Sequence, residues 1–271
     1  MNEYTEFEAD GPITASITLA DGSATVTGHE ADTVFVEIRA AKRGDDAEDA
    51  ADLAKVDFES NHLRIVAPEK QTNWFFKKDI AVHVDVKVPF GSDITLKSAS
   101  APLSTHGRMG PVAAHSAAGH IEVEQATTVR ATTASGSVTV RSASDDVRVN
   151  TASGTVDMDR VGGDFSANTV SGAVQVYRTE GSVKAKTVSG SITLDSVSKG
   201  TVNAKSVSGS INIGVLAGTD VWMDLDSKAG SVVTDLAAGD TSPKPEEGVG
   251  NVEINARSIS GDVYLHRAVR N

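Results

Sequence analysis

The sequence predicts an all-β fold: a β-solenoid (β-helix) of about 18-residue coils, behind an N-terminal β-rich capping region containing one short helix. Two periodicities carry this prediction. From Ile94 onward, apolar residues recur at Leu103, Val112, Ile121, Val129, Val138, Val147, Val156, Phe165, Val174, Val183, Ile192, Val202, Ile211 and Val221, a step of nine that slips once to eight and twice to ten. Most are followed two residues later by a second apolar residue, the alternation of a short strand with one buried face. The second periodicity is doubled: Ser-Gly dipeptides place Gly136, Gly154, Gly172 and Gly190 eighteen apart, with Gly209 nineteen further on. One coil of two strands with a glycine at one corner fits both beats, the glycine being expected there for its access to positive φ. Composition agrees, since only 4% of the 271 residues are aromatic and 24 are glycine. A core of thin, repeated layers needs few large side chains.

Taken in order, residues 1–90 form the capping region. ITASITLADGSATVTG reads as a hairpin around Asp21-Gly22, TVFVEIRA as a strand, and GDDAEDAADLAK as a short helix capped by Asp45 or Asp46. VDFESNHLRIV reads as a second hairpin, and DIAVHVDVKV as an alternating strand leading through Pro89 into the repeats. Residues 91–271 are the solenoid. About nine coils spaced by one strand separation each would extend roughly 40 Å. A Pro- and Gly-containing loop interrupts it near 236–250, and SISGDVYL then restores the pattern for a last coil.

SGSVTV, SGTVDM, SGAVQV, SGSITL, SGSINI and SGDVYL, with the lead-in VPFGSDITL, resemble the repeats of a bacterial putative-adhesin family of β-strand repeat proteins of unknown function. The similarity spans roughly residues 80–266. It implies a β-solenoid fold and an adhesive or scaffolding role, and it brings no catalytic residues with it.

Composition narrows the function further. With 25 Lys+Arg against 37 Asp+Glu the net charge is −12, which on average repels nucleic acid and anionic membrane surfaces. There is no cysteine, hence no disulfide, thiolate nucleophile or zinc ribbon. No apolar run is long enough for a membrane span, and the N-terminal residues lack the basic and apolar regions of an export signal, so a soluble cytoplasmic protein is expected.

Functional residues are then sought on the outer faces, where strand alternation puts the residues between the buried ones. One face, on the five strands carrying Val129, Val147, Phe165, Val183 and Val202, presents Arg130, Arg148, Lys184, Lys186 and Lys205 and no acid. The other presents Glu122, Glu124, Asp157, Asp159 and Asp195. Opposite charges on opposite faces predict a non-enzymatic scaffold or adhesion-type protein that assembles with itself or another protein. The alternative is a binding module for an anionic glycan or polymer on the basic face. A carbohydrate-active enzyme is the third reading, since Asp157, Asp159 and Asp195 offer paired carboxylates, though nothing in the sequence raises one carboxyl's pKa. No cofactor or metal is expected: His106 and His115 fall on opposite faces, and His120 in a corner. Asn150 and Asn168, eighteen apart, are expected to stack as an amide ladder. Trp74, Phe75 and Phe76, three of the twelve aromatics, form either a contact loop or a plug over the first coil.

Overall fold

The computed structural model describes residues 3–41, 53–67, 72–73, 76–77, 81–236 and 251–268. It divides into two compact units, residues 1–136 and 137–271. Among the described residues every regular element is a strand, and no helix is long and apolar enough to cross a membrane. The helix expected over 44–55 falls largely outside the described residues. Its last positions, from Leu53, are a turn leading into a strand that starts at Lys55.

In the first unit the repeats begin earlier than the nine-residue beat suggests. Strands β2 (Thr14–Leu19) and β3 (Gly22–His29) do not pair with each other. They enter opposite sheets, β2 parallel to β10 (Asp93–Ser98) and β3 parallel to β11 (Leu103–Arg108). The expected Asp21-Gly22 hairpin is therefore a coil corner, with Gly22 at φ 109°. β12 (Val112–Ser116) continues one sheet and β13 (Ile121–Ala126) the other, and β14 (Val129–Thr133) follows β12.

Antiparallel strands complete this unit. β4 (Thr33–Ala40) joins β1 (Glu3–Glu8) to β9 (Val82–Pro89), and β5 (Lys55–Glu59) pairs with β6 (His62–Val66). The turn between β5 and β6 is the expected hairpin: Ser60 and Asn61 both have positive φ, as the two-residue turn matched to strand twist requires. The edge strands β1 and β5 alternate charge with half-buried residues, which deters further strand pairing. Phe7 on β1 and Phe58 on β5, with ring centroids 5.0 Å apart, join the two sheets there. β7 (Thr72–Asn73) and β8 (Phe76–Lys77) pair antiparallel, and Trp74 and Phe75, which fall between them, lie outside the described residues.

The second unit repeats one arrangement. One sheet runs β16 (Val147–Ser153), β18 (Phe165–Ser171), β20 (Val183–Ser189), β22 (Gly200–Ser208) and β26 (Asn251–Ser258), all parallel. The other runs β15 (Val138–Ala143), β17 (Val156–Val161), β19 (Val174–Thr179), β21 (Ile192–Val197), β23 (Ile211–Leu216) and β27 (Val263–Ala268). Identical registers stack the inward residues: Val147, Phe165, Val183, Val202 and Ile254 form one column, followed two residues on by Val149, Ala167, Ala185, Ala204 and Ala256. The other sheet supplies bulk at its second position, with Met158, Leu194, Ile213 and Leu265 all buried. Pairing small residues on one sheet with large ones on the other fills a thin core in which Phe165 is the one aromatic among the described residues.

Space departs from chain order at the far end. β26 and β27, which carry SISGDVYL, are inserted between β22/β23 and the strands β24 (Asp220–Ser227) and β25 (Val232–Thr234). The expected last coil is thus the penultimate layer. The loop expected near 236–250 lies, after Leu236, outside the described residues.

The corner glycines also have a different reason from the one expected. Positive φ occurs at Gly11, Gly22, Gly91, Gly107, Gly200 and Gly218, and at none of the Ser-Gly corners. A Cβ at Gly172, Gly190 or Gly209 would lie 2.1 Å from the carbonyl oxygen of the glycine one coil before. Close stacking of backbones selects glycine there. The buried hydroxyl three residues earlier completes the corner: Ser206 donates to the Gly190 carbonyl and Ser258 to that of Gly209, each at 3.2 Å. The opposite corner uses carboxylates, the Asp164 amide donating to Asp146 and the Ser182 amide to Asp164, both at 2.8 Å.

Candidate functional site

The basic residues sit on outward positions of the β14 and β16–β22 strands, and all five are exposed. In the first unit Arg130 pairs in register with Ala113, and its neighbour two positions on, Thr132, with His115. In the second unit two outer columns run across the sheet. One reads Arg148, Ser166, Lys184, Asn203, Asn255; the other reads Asn150, Asn168, Lys186, Lys205, Arg257. Lys186 and Lys205 are direct neighbours, and Lys184 lies two residues along the strand from Lys186 on the same side. The amide ladder forms, Asn168 Nδ2 donating to Asn150 Oδ1 at 3.0 Å. The face does not stay basic to its end, because Arg257 binds Asp224 at 2.9 Å.

The acidic residues separate into two groups. In the first unit Glu122 pairs with Ser104, while Glu124 accepts a hydrogen bond from the Gly107 amide at 3.1 Å and stands 3.6 Å from His106 Nδ1. Gly107 has φ 80°, so Glu124 secures a bulge in its own sheet. In the second unit the register places Asp159, Tyr177 and Asp195 in one outer column and Asp157, Gln175 and Thr193 in the next. Burial, and then the charge of Asp159, push the Asp157 carboxyl above the usual carboxylate range. Its Oδ1 is buried without a hydrogen-bond partner. The expectation that no carboxyl would be raised is corrected here. The Tyr177 phenol is pushed up as well, chiefly by Asp157. Arginines edge this cluster: Arg141 stands beside Asp159, and Arg160, in register with Arg178, binds Glu180 at 2.9 Å.

A raised carboxyl favours the folded state while protonated and loses that advantage as pH rises through its ordinary and then its folded-state pKa. Asp157→Asn is therefore expected to raise the thermal midpoint at pH 7 relative to wild type, and to change it little at pH 3. Differential scanning calorimetry at the two pH values checks this.

His106 and His115 belong to different sheets, and His120 precedes β13. Among the described residues no group of three or more His, Asp or Glu side chains is placed to hold a metal ion.

Two parallel sheets built from coils that alternate between them, each closed by a glycine packed on the coil before, are matched by the profile of the Toastrack DUF4097 family over residues 14–220. The chain belongs to that family. The start of the match at residue 14 coincides with β2, the first strand of the parallel stack. A crystal structure from Bacteroides fragilis, described as a "putative adhesin", is similar in fold: TM-score 0.50 at 10% identity, covering 98% of this Toastrack chain and 97% of that one. A "putative adhesin" from Parabacteroides merdae covers 97% and 95% at 9% identity, with TM-score 0.39. A "putative cell adhesion protein" from Clostridium sporogenes covers 98% and 99% at 10% identity, with TM-score 0.32. Comparison with curated proteins found no match.

One outer feature of the Toastrack repeats escaped the sequence reading. Beyond the lysine column the same face carries Val170, Val188, Val207 and Ile259, all exposed. Strand parity places them outward, since each lies two residues after Asn168, Lys186, Lys205 or Arg257. Counting alternate residues through to the Ser-Gly corner would have found them.

Proposed function

We propose that this Toastrack chain is a non-enzymatic, adhesion-type scaffold that holds an anionic polymer on the basic outer face of its second unit. The carrying observation is the adjacency of Lys186 and Lys205 on neighbouring strands, with Lys184 beside them and no ion pair to any of the three among the described residues. Like charges one strand apart repel, and an anion running along the column relieves that repulsion. Arg148, on the same face of this unit, adds to the same chemistry. The adhesin description of the Bacteroides fragilis structure agrees with such a role. Retention on immobilised heparin at low salt, compared between wild type and Lys186→Glu/Lys205→Glu, tests the reading. A loss of at least about tenfold, with an unchanged thermal midpoint, is expected. Equal retention refutes it.

Assembly between copies is the second reading, with the basic face of one molecule on Asp157, Asp159 and Asp195 of another. The repulsion between Asp157 and the exposed Asp159 favours it, because an ammonium from a second copy relieves that repulsion. Sedimentation velocity over a dilution series would then show a dimer that salt dissolves.

A further inference from the structure

The lysine column has an apolar companion. Lys186 and Val188, and Lys205 and Val207, are each two residues apart on one strand, so both members of each pair face outward, and Ile259, exposed just past the end of β26, follows Arg257 by the same two residues. The register Lys186↔Lys205↔Arg257 stacks the cations, and Ser189↔Ser208 with Ser206↔Ser258 stacks the apolar residues beside them. Ser171↔Ser189 adds Val170 to the apolar row. The four are 53%, 46%, 43% and 47% exposed, although β-branched residues ordinarily bury in a strand. Three strand spacings make this ridge about 14 Å long. It stands next to the corner, at the strand ends. The cation and the large apolar residue also come together in sequence, in KTVSG, KSVSG and RSISG, whereas the coil with Asn150 carries Ala152 in the ridge position.

We propose that this paired ridge is a docking surface for an anionic phospholipid membrane, the valines and Ile259 entering the headgroup boundary while Lys184, Lys186 and Lys205 meet the phosphates. This rests on the reading that the basic face takes an anionic partner, and adds to the polymer a second anionic surface that also engages the apolar row. Spacing selects the membrane. The columns advance by about 4.8 Å per coil, whereas same-side residues of an extended acidic peptide advance by about 6.6 Å, so a peptide falls out of step within two coils. A hydrophilic polyanion satisfies the lysines and leaves the apolar row in water. Lipid headgroups move laterally and need no register, and a cationic row beside an apolar one is the pattern that interfacial binding requires.

The test is co-sedimentation with phosphatidylcholine vesicles containing about one-third phosphatidylglycerol, against pure phosphatidylcholine. Wild type is expected to bind the anionic vesicles only. Lys186→Gln/Lys205→Gln should weaken binding by roughly fivefold per lysine, and Val188→Ser/Val207→Ser by roughly tenfold while leaving heparin retention unchanged. Ala152→Val, which lengthens the ridge by one coil, should strengthen vesicle binding about threefold. Vesicle binding that is absent, or indifferent to the valine changes, overturns the membrane proposal. If heparin retention then still depends on Lys186 and Lys205, the polymer reading stands alone; if it does not, both fall.

Discussion

Gly190→Ala is expected to lower the thermal midpoint by about 5 to 10 °C, equivalent to about 2–3 kcal/mol for a chain of this size. The added methyl would meet the Gly172 carbonyl oxygen at 2.1 Å, and both atoms belong to backbones held by parallel strand pairing. No side chain can rotate away. Relief requires opening the spacing between two coils, which weakens the hydrogen bonds of both sheets at that layer. Gly11 is the contrasting case, with φ 80° and nothing within 4 Å of the position a methyl group would take, so Gly11→Ala meets only the local conformational cost of about 1 kcal/mol. A Gly190→Ala midpoint within about 2 °C of wild type would show that the corners are not in backbone contact.

Phe165→Ala is expected to cost about 3–5 kcal/mol. Phe165 is 1% exposed and is the one large aromatic in a column otherwise made of Val and Ile. Its neighbours Val147 and Val183 are β-branched and fixed in register, so they cannot lean in to fill the space. Phe165→Leu keeps most of the volume and should cost less than half as much. Urea denaturation with an unchanged m-value checks both variants. A loss below about 1 kcal/mol for the alanine variant would mean that the core at this layer is loosely packed.

The repeats were legible because a strand that stacks on its own copy must repeat its inward residues at the coil length. Val138, Val156 and Val174 announce that length directly. The N-terminal coil was harder to see, since β2 and β3 pair with β10 and β11 about eighty residues away, across an excursion through β4, β5, β6 and β9. Local pattern cannot distinguish a hairpin at Asp21-Gly22 from a corner between two sheets, because both need a glycine with positive φ. The insertion of β26 and β27 inside β24 and β25 is hidden for a related reason: parallel pairing leaves no local turn to mark it. Strand parity marks the charged columns, and the same parity carried on to the corner marks Val188 and Val207 beside them. The raised carboxyl of Asp157 depends on half-burial next to Asp159, a property of packing that residue spacing does not encode.

The working surface proposed for the chain is the basic face of the second unit. Titrating a heparin oligosaccharide into the 15N-labelled protein and following amide shifts tests it most directly. Perturbations confined to the strands around Lys184, Lys186 and Lys205, fading as salt is added, are expected. Shifts centred instead on Asp157, Tyr177 and Asp195, or spread evenly over both units, would contradict it.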